Sequence, residues 1–218
     1  MTSALSEDKR RALDDYPTPE WAIDAILPWV PLTGAILEPA CGSGAILSRI
    51  VARGISPLTM AGIEIDPARA FEAHRTGARI ANHDALEDGH NLFASSDLII
   101  TNPPFRQAEA FCRRSLTLVR PGGCVAMLLR LAFLESAQRY EFHREFPVTA
   151  LHVFSSRPSF TGDGKSDSAA YAWFVWGGLA SGINFIPPHK DARKITRCLP
   201  AGYPIAGADA RLSTGEEP

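Results

Sequence analysis

From about residue 18 the chain alternates short apolar or β-branched runs with stretches whose apolar positions recur every three to four residues. That alternation predicts βαβ units and a mostly parallel sheet. Seven runs read as strands: residues 35–38, 59–65, 78–81, 97–101, 123–129, 148–154 and 169–176. Helices are predicted in the gaps, near 44–53, 67–75, 107–119 and 136–145. An earlier helix is predicted with Thr18 as its cap and Pro19 at its first position, with Trp21, Ile23, Ala25, Ile26, Leu27 and Val30 as its apolar residues, ending near Pro31.

One connection differs. Residues 155–168 hold too few apolar side chains for a helix, so the strands that flank them are expected to pair antiparallel across a long loop of the functional kind. Beyond Trp176 the Gly177-Gly178 pair and a Pro/Gly-rich stretch leave room for at most one more short strand, near 183–186. The class is therefore α/β, a mostly parallel seven-stranded sheet closed by an antiparallel hairpin, with ligands expected beyond the carboxyl ends of the strands. Residues 1–15 read as an extension, 16–187 as one domain and 188–218 as a tail whose last dozen residues are expected to be poorly ordered.

Composition narrows this further. With 218 residues, 45% hydrophobic and 21% charged, the chain suits one packed core and not wholesale disorder. Its 22 basic and 24 acidic side chains exclude a global basic field. The charge is nevertheless uneven: residues 1–103 carry 8 basic and 14 acidic groups, residues 104–200 carry 13 and 7. The middle stretch is the candidate polyanion face, against the plainer reading that its arginines coat helices as solvated charges. Cys41, Cys112, Cys124 and Cys198 have no metal-type or disulfide spacing and are expected as reduced core thiols, with no zinc site. No leader-like apolar run follows the first charges, and the apolar stretch 125–134 is broken by Arg130, so a cytoplasmic protein without membrane contact is expected.

Three strand ends carry candidate chemistry. Glu38-Pro39-Ala40-Cys41-Gly42-Ser43-Gly44 follows a strand and opens a helix, so backbone N–H groups and small residues face any ligand there. The third glycine of the dinucleotide fingerprint is missing, since Leu47 stands in its place. Gly62-Ile63-Glu64-Ile65-Asp66-Pro67 ends the second strand with two acids; Asp66 before Pro67 suits a helix cap, which leaves Glu64 for the two hydroxyls of a ribose. Asn82-His83-Asp84-Ala85 ends the third with an acid that either accepts from an adenine amino group or, with Glu87, forms a capping box.

The fourth strand ends in Asn102-Pro103-Pro104-Phe105. This resembles the catalytic motif of class I S-adenosylmethionine-dependent amino-methyltransferases, and the Glu38, Glu64 and Asp84 turns are similar to that family's cofactor motifs in the same order. Tyr16-Pro17-Thr18-Pro19 resembles the element that covers the methionine end of the cofactor in DNA adenine-N6 methyltransferases. The resemblance implies a Rossmann-like fold and S-adenosylmethionine as cofactor, with S-adenosylhomocysteine as product. It implies cofactor contacts from Tyr16, Thr18, Pro19, Glu38, Ala40, Gly42, Gly44, Glu64, Ile65, Asp84, Ala85 and Asn102.

By the same resemblance, the Asn102 side-chain oxygen and the Pro103 carbonyl accept the two hydrogens of an exocyclic amine whose lone pair is otherwise delocalised into its ring. The Pro103-Pro104 step holds these acceptors in place. Phe105 stacks on the target ring, Phe160 supplies a second aromatic wall, and Arg157 and Lys165 hold nearby phosphates. No strong base is needed, so no His or Cys is given a catalytic part. The partner implied is nucleic acid, DNA ahead of RNA, with adenine N6 as acceptor; RNA adenine and a protein glutamine amide are the alternatives, and a non-catalytic nucleotide-binding module is the alternative of another class. Only about forty residues follow Trp176, fewer than a target-recognition domain needs, so loose, loop-borne or externally supplied site specificity is expected.

Overall fold

The computed structural model describes residues 17–87, 95–158 and 168–188. The extension, the tail beyond residue 188, Cys198, Tyr16, Phe160 and Lys165 lie outside the described residues. In chain order the elements are α1 (Glu20–Ile26), β1 (Ile36–Glu38), α2 (Ala45–Val51), β2 (Met60–Glu64), α3 (Pro67–Ala73), β3 (Arg79–Asn82), β4 (Ser96–Thr101), α4 (Ala108–Leu118), β5 (Val119–Arg130), α5 (Tyr140–Glu145), β6 (Ala150–Phe154), β7 (Tyr171–Trp176) and β8 (Gly182–Ile186). They build one eight-stranded sheet in the order β3-β2-β1-β4-β5-β7-β6-β8.

Every neighbouring pair is parallel except those of β7, which runs against both β5 and β6. This is the α/β class expected, with the antiparallel return where the long 155–168 connection predicted it. The eighth strand is the short run near 183–186, parallel to β6. Strand order reverses at β1 and β4, so the crevice beyond their carboxyl ends is the topological switch point where such sheets bind ligands.

Alternate residues of β5 and β7 serve opposite faces. Cys124, Ala126, Leu128, Tyr171, Trp173 and Val175 pack with α1 and α2 on one, and Val125, Met127, Leu129, Ala172, Phe174 and Trp176 with α4 and α5 on the other. Both faces are covered, which is why these strands read as unbroken apolar runs. Each large side chain buried this way contributes about 1.5–3 kcal/mol. The Trp173 indole also donates to the Ala22 carbonyl at 2.8 Å and so fastens α1 to the sheet.

Thr18 does not cap α1, contrary to the expectation from its place before Pro19. Pro19 is the N-cap and no side chain bonds the first turn. The helix also closes early, passing at Leu27–Trp29 into a 3₁₀ turn that contains Pro28, which has no N–H to continue the α pattern. At the opposite rim, the amino ends of the central strands are locked together. Asp97 accepts from the Ala35 N–H at 2.7 Å and contacts the Arg120 guanidinium, and these donors hold its carboxyl below the usual range. Gly34 has φ +76° there, and a Cβ on it would fall 2.1 Å from the Asp97 carboxylate.

Cys41, Cys112 and Cys124 are free and buried, as expected. No described helix is long and apolar enough to cross a membrane. His152, on β6, is 1% exposed, its ring lies 5.0 Å from that of Trp29, and neither ring nitrogen has a hydrogen-bond partner. Burial lowers its pKa from 6.5 to about 4. The unfolded chain therefore takes up this proton near pH 6.5 while the folded chain resists until about pH 4. The contribution of His152 is complete above that window and is lost as pH falls through it, by up to about 3 kcal/mol. His152→Leu should flatten the dependence of the urea midpoint on pH between 6.5 and 4, and an unaltered dependence would show that other groups control acid unfolding.

Candidate active site

β1 delivers Glu38 to the switch point, and residues 39–44 turn from it into α2. Two of these residues have left-handed backbones, Gly42 at φ +53° and Gly44 at φ +88°. The Gly44 N–H donates to the Cys41 carbonyl at 2.8 Å, and the Cys41 N–H to the Ile63 carbonyl at 2.9 Å, so the turn is held against β2. A Cβ on Gly44 would lie 2.6 Å from Thr76 Cγ2 and 3.4 Å from the Ala73 backbone, whereas one on Gly42 would point into open space. Gly44 thus serves close packing of α2, and Gly42 leaves the crevice clear.

Two carboxylates face this turn. Glu38 is 2% exposed, and its Oε2 has no hydrogen-bond partner. Burial raises its pKa well above the usual range; the Leu47 N–H opposes the shift and the charge of Glu64 adds to it. Glu64, at the end of β2, accepts from the Gly42 N–H at 2.8 Å, the Asp66 N–H at 2.9 Å and Arg69 Nη2 at 3.0 Å. Its pKa is raised by burial, against the pull of those backbone donors. The Cys41 thiol between them is pushed up by burial and by both acids.

Asp66 does cap α3, accepting from the Ala68 and Arg69 N–H groups at 2.8 and 3.0 Å. Glu64 also has a structural task that its lack of a capping position concealed, since it ties the glycine turn to the start of α3. Ile65 beside it is 65% exposed and offers an apolar surface over the strand ends. Asn82, which the motifs passed over, donates to the Glu64 and Ile65 carbonyls and shapes that turn. Asp84 accepts from the Leu86 N–H at 2.8 Å, a local turn that also includes Ala85, and the Glu87 carboxylate lies 3.8 Å from His83 Nε2.

β4 ends beside β1. The Thr101 hydroxyl, wholly buried, donates to the Ala40 carbonyl at 3.4 Å and joins the end of β4 to the glycine turn. The next residue, Asn102, donates from Nδ2 to the Thr18 hydroxyl at 3.1 Å. Pro103 is buried and Pro104 half-buried. The Pro104 carbonyl accepts from the Gln107 N–H at 2.9 Å, so the chain turns sharply after the motif.

Phe105 packs at the edge of the core, its ring 5.5 Å from that of Tyr171 and tilted 46° to it. The Arg130 guanidinium lies over the Phe105 ring at 4.8 Å and donates to the Tyr171 hydroxyl at 3.2 Å. Neither Arg130 nor Tyr171 is marked by a local motif; their position at the end of β5 and the start of β7 is the one signal that leads to them. Arg157 is exposed three residues past β6. A separate groove of about 790 Å³, lined by residues such as Leu134, Tyr140 and His143, contains none of these residues.

Three separate hydrogen bonds thus run through the candidate site, Asn102 to Thr18, Thr101 to Ala40 and Gly42 to Glu64, with Glu38 in electrostatic reach of Glu64. Several arginines of the basic middle stretch are instead used internally: Arg113 pairs with Glu109 and Glu145, Arg120 with Asp97 and Arg144 with Glu141.

No protein-family model matches the chain. A tRNA1(Val) (adenine(37)-N6)-methyltransferase of Yersinia enterocolitica is 30% identical over 95 residues, which is 39% of this chain and 38% of the relative. One from Yersinia pestis is 33% identical over the same shares. The chain thus spans well under half the length of these relatives. Among solved structures, a Listeria monocytogenes protein described as a class I S-adenosylmethionine-dependent methyltransferase matches with a TM-score of 0.63 at 12% identity, over 89% of this chain and 73% of that one. The methyltransferase subunit of a Streptococcus thermophilus type I restriction-modification system matches with a TM-score of 0.62 at 16% identity, over 81% and 48%. The fold is that of Rossmann-like methyltransferases.

The two glycines should respond differently to substitution. Both Gly42→Ala and Gly44→Ala put a side chain into the left-handed region, at a cost of about 1–2 kcal/mol. Gly44→Ala adds the clash with Thr76, so its denaturant midpoint should fall further than that of Gly42→Ala; equal midpoints would show that α2 gives way at no cost.

Proposed function

We propose that the chain is an S-adenosylmethionine-dependent methyltransferase that acts on N6 of adenine in a polynucleotide, with DNA as the first acceptor class. The observation that carries this reading is the join between the two halves of the site. Thr101 bonds the Ala40 carbonyl of the glycine turn, and the adjacent Asn102 amide bonds Thr18, which supports a cofactor turn and an amine site lying side by side.

S-adenosylmethionine supplies, when bound, a methyl group already activated on a sulfonium sulfur. The donor set fits it. A buried carboxylate with an orphaned oxygen, Glu38, suits an ammonium group, which offsets part of the cost of its burial. Glu64 has its carboxylate oriented by the Gly42 and Asp66 N–H groups toward a pair of hydroxyls. Ile65 gives a purine an apolar wall and Asp84 an acceptor for its amino group. Gly42, without a side chain, leaves room for the chain that joins them. Tyr16, Thr18 and Pro19 cover the methionine end in this reading.

For the acceptor, Asn102 Oδ1 and the Pro103 carbonyl take the two amine hydrogens, which concentrates the lone pair on nitrogen and offsets the positive charge that grows there. The proton leaves through these acceptors to water once the new N–C bond has made the amine acidic. Phe105 offers the face that Arg130 does not cover to the ring, and Phe160, outside the described residues, is the second aromatic that the resemblance nominates. Arg157 and Lys165 meet flanking phosphates, and Arg106, beside the motif, adds a third cation; among the described residues neither Arg106 nor Arg157 forms an ion pair.

RNA is the second reading. It is favoured by the Yersinia relatives, which are named as tRNA adenine-N6 methyltransferases. Labelled S-adenosylmethionine offered in parallel to single-stranded DNA, duplex DNA and RNA, followed by digestion to nucleosides, decides between them; N6-methyladenosine of the deoxy series supports the first, of the ribo series the second, and no labelled nucleoside overturns both.

Asn102→Ala should lower turnover by about a hundredfold or more, the scale of losing a preorganised transition-state partner, while S-adenosylmethionine affinity measured by calorimetry changes little. Glu64→Ala should do the reverse, and cofactor affinity unaltered by it would remove Glu64 from the ribose. If two or three phosphates are held, polynucleotide affinity should drop about ten- to fortyfold between 50 and 200 mM salt. Arg106→Ala should reduce the logarithmic salt slope by about one.

A further inference from the structure

The proposed reaction needs Asn102 to present its oxygen, and an asparagine side chain does not do so by default. Its amide has two nearly isosteric ends, one an acceptor and one a pair of donors. Rotated by half a turn, it would direct N–H groups at the N–H groups of the incoming amine and oppose the reaction. Something must select the orientation, and the neighbouring prolines act only on the backbone.

Thr18 touches the end of the amide that the reaction does not use. Its hydroxyl accepts from Asn102 Nδ2 at 3.1 Å across 84 positions of sequence. Thr18 is 7% exposed, so water competes weakly for that bond. The hydroxyl is not spent on α1, whose N-cap is Pro19 and whose first turn has no side-chain bond. The Pro19 carbonyl takes the Ala22 and Ile23 N–H groups at 2.9 and 3.2 Å.

Its holder is stiff. Thr18 precedes a proline, which confines its backbone to the extended region, and its branched Cβ restricts χ1. The helix it introduces has Ala22, Ile23, Ala25 and Ile26 buried and is fastened to β7 by the Trp173 indole.

We infer that Thr18 is a positioning residue that anchors the Asn102 amide by its Nδ2 end, a task distinct from covering the cofactor. This rests on the reading of Asn102 given above. With Nδ2 held by Thr18, Oδ1 is left for the amine.

Valine has the shape of threonine without the hydroxyl, and serine keeps the hydroxyl without the methyl. Single-turnover methylation of an adenine-containing oligonucleotide, at saturating S-adenosylmethionine, should fall tenfold or more in Thr18→Val and stay within threefold of wild type in Thr18→Ser. Cofactor affinity should move less than threefold in both. Equal losses in both variants, a wild-type rate in Thr18→Val, or a Thr18→Val defect confined to cofactor affinity would each overturn the assignment.

A second readout needs no turnover. The ¹⁵N-edited NMR signals of the Asn102 side-chain amide should shift and exchange faster with solvent in Thr18→Val and keep their wild-type values in Thr18→Ser; unchanged signals in Thr18→Val overturn the contact. Wild-type protein that methylates no adenine oligonucleotide would instead sink the reading of the site, while the amide signals would still decide whether Thr18 holds Asn102.

Discussion

Burying two acids side by side is expensive, and this molecule does it at the meeting point of β1 and β2. Glu64 offsets its burial with three donors, whereas Glu38 keeps one oxygen without any. The charge of Glu64 makes Glu38 harder to ionise still, so the buried Glu38 carboxyl is settled by protonation or by a cation brought to it. The glycine turn and the first turns of α2 and α3 bring the Gly42, Leu47 and Asp66 N–H groups to these carboxylates.

Much of this was legible because it is local. A strand covered on both faces has to be apolar throughout, and β4, β5 and β7 are visible for that reason. Asp66 before Pro67 announced a cap and became one. The Asn102 motif at a strand end, after acids at three earlier strand ends, nominated the candidate site without coordinates. The weak edge strand β8 was less visible, since Ile183 and Phe185 are exposed and give no burial pattern to read. β5 begins at Val119, ahead of the expected start, because its first residue pairs with Ser96 before a register shift that the Gly122-Gly123 pair permits.

What could not be read is what depends on distant partners. Thr18 before Pro19 has the local marks of a helix cap, and a contact 84 positions away outweighed them. Glu64 seemed free of structural duties because its donors come from two separate turns. Arg130 belongs to a stretch whose charges suggested a polyanion surface, yet its guanidinium lies on Phe105 and bonds Tyr171. Charge counted along the chain cannot tell a cation that faces solvent from one that packs on a ring.

The lock formed by Asp97, Ala35 and Arg120 sits at the far rim from all this chemistry. It grips β1, β4 and β5 where they enter the sheet, so the alignment of the central strands is set before the chain reaches the crevice. Turns at the opposite rim can therefore be lengthened, shortened or exchanged without loosening the strands that carry them.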